Sequence, residues 1–219
     1  MKKLLLVGII IGLSYLPTSY GMGLEELIEK PLPYWQEGIN EFFKQSAEEI
    51  NRKKLEIIPS NFLKIETFTQ ITNSYKLPVK ETEKLYSRAV KVAIKDVLSH
   101  FKCRVQDPDV AFLMEDLTDQ VRVNCKSDIK KFIERNSKEY LRETIKECKL
   151  LKANPSISSF LNGFQCKELL KHFPDQTLET LFEYLRKEER EIYKKPERAK
   201  GEHLKEIVKN LKNNNLFRR

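Results

Sequence analysis

Four cysteines, Cys103, Cys125, Cys148 and Cys166, and three histidines, His100, His172 and His203, are the side chains of this 219-residue chain with the widest chemical repertoire. Their spacing argues against a metal centre, because the cysteines form no close pair and no two histidines stand one helical turn apart. His100 comes three residues before Cys103 and His172 six after Cys166, but a histidine at a helix end acts more simply as a solvated or capping cation. Nucleophilic catalysis finds no local motif, neither a G-x-S-x-G elbow nor a glycine-rich phosphate loop. Glu188, Glu189 and Glu191 gather among Arg186, Lys187 and Arg190, the composition of a solvated charged face. These residues point to a non-enzymatic chain without metal or cofactor. An acidic site assembled in space is the remaining enzymatic alternative.

Binding chemistry is better represented. Lys80, Lys84, Arg88, Lys91 and Lys95 recur at helical spacing, as do Lys131, Arg135, Lys138, Arg142 and Lys149. Each set therefore occupies one helix face, able to attract an acidic protein partner or an anionic surface with salt-sensitive affinity. The plainer account is two solvated faces supported by pairs such as Glu134 with Lys138. Phe132, Phe160, Phe164, Phe173 and Phe182 fall on inward positions of neighbouring helices. They would either line a pocket for a fatty or other apolar ligand or pack as ordinary core. Nucleic acid is not the expected partner, since the positive charge is spread through acid-rich helices.

The elements that must position these residues read as helices throughout. Lys2 and Lys3 precede an apolar run from Leu4 to Leu16, then Pro17, Ser19 and Gly21, the layout of a secretory leader cut after Gly21. Spanning a bilayer takes about 20 apolar residues, so cleavage is favoured over anchoring and no transmembrane segment is expected to remain. Cleavage would remove two lysines and no acid, taking 40 basic and 32 acidic residues to 38 and 32, a formal +6. Trp35, Ile39, Phe42, Phe43, Ala47 and Ile50 then mark one buried helical face, closed by Pro59. A weaker helical pattern covers 60–77, and Tyr86, Ala89, Val90, Ala93, Ile94, Val97, Leu98 and Phe101 form the broadest apolar face. Asp107 with Pro108 and Asn154 with Pro155 are cap-then-proline helix starts, whereas Cys125 and Pro174 read as helix ends. Beyond Pro196, Leu204, Ile207, Val208 and Leu211 lie among Lys200, Lys205, Lys209 and Lys212 in a basic amphipathic tail, partly disordered, whose short apolar face suits a docked or frayed terminal helix better than a membrane surface or a partner helix.

An even cysteine count behind a secretory leader favours disulfides. A helix from Pro108 to Asn124 would hold Cys103 and Cys125 roughly 25 Å apart, beyond the ~7 Å a bridge tolerates. The next helix separates Cys125 from Cys148 in the same way. Elimination leaves Cys103 with Cys148 and Cys125 with Cys166, although Cys166 falls roughly 20 Å short of the level of Cys125. The chain thus reads as an all-α bundle of six to seven helices, stapled by two disulfides and secreted or periplasmic. Its expected organisation is a leader at 1–21, one helical domain at 22–195 with a disulfide-bearing core at 79–173, and the tail at 196–219.

Overall fold

The computed structural model describes residues 32–52, 79–105, 116–147 and 164–213. Among them the chain is all-helical, with five α-helices, one 3-10 turn at Pro196–Arg198 and no strand. The expected leader, the weak pattern at 60–77 and the helix starts at Asp107 and Asn154 lie outside the described residues.

Helix α1 (Leu32–Arg52) and helix α2 (Val79–His100) form where the apolar spacing predicts. Trp35, Ile39, Phe42, Phe43, Ala47 and Ile50 of α1 are buried, as are Tyr86, Ala89, Val90, Ala93, Ile94, Val97 and Leu98 of α2. Full burial of an Ile or Phe side chain stabilises by about 1.5 to 3 kcal/mol relative to exposure, so both faces contribute to the core.

Helix α3 (Leu117–Glu147) overturns the expected break at Cys125, running straight through Cys125, Ser127, Asn136 and Ser137. The polar residues that favour an interruption satisfy themselves on the helix. Asn124 Nδ2 donates to the Gln120 carbonyl at 2.9 Å, Asn136 Nδ2 to that of Phe132 at 3.1 Å and Ser137 Oγ to that of Ile133 at 2.6 Å. Helix α4 (Phe164–Lys194) likewise continues through Pro174, where an end was expected. The proline ring costs one backbone donor, but Phe173, Thr177 and Leu178 around it are buried, and that packing outweighs the loss.

Helices α2, α3 and α4 pack as successive antiparallel neighbours. Asp96 and Phe101 of α2 and its following turn meet Tyr140 and Phe132 of α3. Asp119 and Lys130 of α3 meet Arg186 and Asp175 of α4. Helix α5 (Glu202–Asn213) folds from the segment expected as a tail, and its Leu204, Ile207 and Val208 are fully buried in the common core. Against it Gly38 of α1 permits close approach, since a Cβ there would overlap Ile207 Cδ1.

Helix α1 also fastens two chain reversals. Gln36 donates to the Cys103 carbonyl and accepts from Val105 N at 3.0 Å. Gln45 donates to the Arg198 carbonyl at 3.1 Å and accepts from Lys200 N at 2.8 Å. Glu41 accepts from Leu204 N at 2.7 Å and contacts His203 Nδ1 at 3.1 Å, capping α5 from a neighbouring helix. The reversal before α5 turns on Gly201, whose φ of +99° favours glycine.

One disulfide joins Cys103 to Cys125, with Cα atoms 5.6 Å apart. This corrects the pairing by elimination, and excludes both Cys103–Cys148 and Cys125–Cys166. The elimination assumed a helix starting at Pro108 that would hold the two cysteines apart. Helix α3 instead starts at Leu117 and carries Cys125 inside it, so antiparallel packing sets Cys125 level with the chain just after α2. Cys148 and the side chain of Cys166 lie outside the described residues.

Candidate functional site

Seven of the ten cationic side chains anticipated on α2 and α3 are described. Arg88, Lys95, Lys131, Arg135, Lys138 and Arg142 are exposed and Lys91 is half-buried. Lys149 and the side chains of Lys80 and Lys84 lie outside the described residues. Lys131 pairs with Asp128 at 3.4 Å and Arg142 with Glu139 at 3.8 Å. Arg88, Lys91, Lys95, Arg135 and Lys138 have no carboxylate partner among the described residues, and the expected Glu134–Lys138 pair is not formed.

Two clefts flank the last turn of α2, meeting at Ser99. The one between α2 and α3, about 330 Å³, contains Lys95, Asp96, His100, Asn136, Glu139 and Tyr140. Tyr140 Oη donates to Asp96 Oδ2 at 2.5 Å, and the other oxygen of Asp96 holds His100 Nδ1 at 2.7 Å. Asp96 thus orients the imidazole and leaves its other nitrogen outward, the arrangement of a base with its positioning carboxylate. Ser99 does not complete a triad, because adjacent helical residues point about 100° apart. Among the described residues no three His, Cys, Asp or Glu side chains converge on a metal position. His172 is exposed, and His203 packs edge-on to Tyr34 with ring centroids 5.1 Å apart.

The second cleft, about 500 Å³, runs between α1 and α2. Its walls include Phe43, Ala47, Leu98 and Phe101, with Lys44 and Lys102 at the rim. Both lysines are exposed and neither has a carboxylate partner among the described residues. The rim acid, Glu48, is engaged by Lys200 at 2.5 Å.

Of the phenylalanines expected to line a pocket, Phe132, Phe173 and Phe182 are described, and none of the three borders these two clefts. Phe173 is fully buried against the rings of Tyr86 and Tyr140. Phe182 is buried beneath the Arg122 guanidinium, 4.8 Å from its ring centroid. Phe132 is half-buried edge-on to Phe101. Phe160 and the side chain of Phe164 lie outside the described residues.

The acidic cluster on α4 is not the solvated face its composition suggested, for Glu188 and Glu189 are each 2 % exposed. Leu185, Glu188, Glu189 and Ile192 follow the three- and four-residue steps of a buried face, the sequence signal that charge composition masked. Glu189 closes the start of α3, accepting from Leu117 N at 2.6 Å, Thr118 N at 3.1 Å, Thr118 Oγ1 at 2.6 Å and Tyr193 Oη at 2.6 Å. Asp116 completes the cap by accepting from Asp119 N at 2.7 Å. Burial and the neighbouring Asp116 charge push the Glu189 carboxyl up to about 7, against the opposing pull of its hydrogen bonds. Burial also raises the Tyr193 phenol, with the Glu189 charge adding to it.

Comparison with known protein families, characterised proteins and solved structures gives no match for this chain.

Proposed function

We propose that this chain is a secreted or periplasmic helical binding protein that engages an anionic partner through the solvent faces of α2 and α3. The observation that carries the reading is the set of five cations, Arg88, Lys91, Lys95, Arg135 and Lys138, without carboxylate partners among the described residues on two packed helices. Charges already neutralised within a fold attract nothing further, whereas unpaired ones raise the local concentration of an opposite charge. Among the described residues no helix is long and apolar enough to cross a membrane. The sequence at 1–21 and the Cys103–Cys125 bridge support an oxidising compartment.

A second bridge, Cys148 with Cys166, completes the stapling in this reading. With Cys103 and Cys125 joined, these are the two cysteines left. Antiparallel packing brings the end of α3 at Glu147 and the start of α4 at Phe164 to the same end of the bundle.

The test is retention on immobilised heparin and co-sedimentation with phosphatidylglycerol-containing vesicles, comparing the natural chain with the quadruple variant Arg88→Glu, Lys95→Glu, Arg135→Glu, Lys138→Glu. A basic side chain near an anionic surface contributes about 1 kcal/mol, so the variant is expected to lose at least about a hundredfold in affinity. Binding should also vanish near 1 M salt, where screening acts within ~3 Å. Equal retention of both proteins sinks the reading.

A further inference from the structure

We propose that the cleft between α1 and α2 is a binding site for a single-chain carboxylate, a medium- or long-chain fatty acid. The inference is separate from the cationic-face reading and uses different side chains. The half-buried Phe101 ring, with the edges of Phe43, Ala47 and Leu98 that the core leaves uncovered, gives the cleft its apolar wall, and its volume of about 500 Å³ suits a small flexible ligand. Its charge selects the head group. Lys44 and Lys102 stand exposed at the rim without carboxylate partners among the described residues, while Glu48 is occupied by Lys200.

An anionic head held by two lysines therefore meets complementary charge, and its alkyl chain meets carbon. A cationic or neutral amphiphile of the same length gains only the second interaction. The side chains differ from the five phenylalanines picked out by sequence.

The experiment is calorimetric titration of the oxidised chain from Met22 to Arg219 with octanoate, decanoate and dodecanoate, each below its micellar concentration. Burial of a methylene is worth about fourfold in affinity, so each two-carbon step is expected to tighten binding by up to about sixteenfold. Dodecyltrimethylammonium should bind more weakly than dodecanoate. The double variant Lys44→Glu, Lys102→Glu should weaken dodecanoate at least tenfold with an unchanged far-ultraviolet spectrum, since both side chains are exposed. Ser99→Trp, an exposed change beside the cleft, should also weaken it.

Absence of binding, affinity independent of chain length, or variants that bind as the natural chain does would each overturn the proposal. Heparin or vesicle binding without carboxylate binding would refute this site and leave the cationic-face reading standing. The reverse pattern would support the cleft and refute the cationic faces.

Discussion

Replacing Glu189 by glutamine tests whether a buried carboxyl makes the fold pH-dependent. In the folded chain its pKa is pushed up to about 7, from an ordinary value of 4.5. The folded state therefore holds a proton that the unfolded state releases between those two values. The stability this contributes is complete below pH 4.5 and is lost as pH rises through 7, a total of about 3 kcal/mol. Urea unfolding of the oxidised protein at pH 5, 6, 7 and 8 should show the natural chain losing about 2 to 3 kcal/mol relative to Glu189→Gln across that range. Glutamine keeps one acceptor oxygen toward Leu117 N and Tyr193 Oη, so the variant should fold. Parallel stability profiles would refute the argument. A natural chain that gains on the variant as pH rises would refute it more informatively, because the hydrogen bonds and the N-terminus of α3 would then outweigh burial and the Asp116 charge.

Other outcomes follow from the same contacts. Gly201→Ala puts a side chain at a φ of +99° and into the Glu41 carboxylate that caps α5. The backbone term alone is about 1 to 2 kcal/mol, so thermal unfolding should fall by about 2 to 8 °C, and an unchanged midpoint would contradict the cap. Peptide mapping without reduction should recover Cys103 linked to Cys125, and Cys148 linked to Cys166. A Cys103–Cys148 peptide would overturn both assignments. Replacing Cys103 and Cys125 together by alanine removes a bridge of sequence separation 22 and should cost about 3 kcal/mol.

Helical periodicity made the faces of α1 and α2 legible residue by residue, because a single apolar stripe with few polar interruptions admits one placement. It failed where punctuation signals competed with packing. Asn136, Ser137 and Pro174 each favour a break in isolation, yet side-chain bonds to the preceding turn carry α3 through the first two and burial on both sides carries α4 through the third. The assumption of one continuous helix from Pro108 to Asn124 propagated directly into the disulfide assignment, because α3 begins only at Leu117 and helix length was the ruler that separated the cysteines. The cationic stripes were visible as patterns, but whether each charge had a partner depends on neighbouring helices. The two clefts were not legible at all, because each is made by residues of different helices. Glu189 was read by its charged neighbours, although its spacing from Leu185 and Ile192 already placed it on the buried face.

The contacts of α1 set an order of events during synthesis. Glu41 and Gln45 meet partners more than 150 positions later in the chain, and Gly38 meets Ile207. At about 5 to 20 residues per second, roughly 8 to 30 s separate the appearance of α1 from that of α5. Throughout that interval Ile39, Phe42 and Ile50 lack part of the surface that finally covers their helix. Full covering of α1 thus waits for α5, whereas α2, α3 and α4 can pack on one another before it is made.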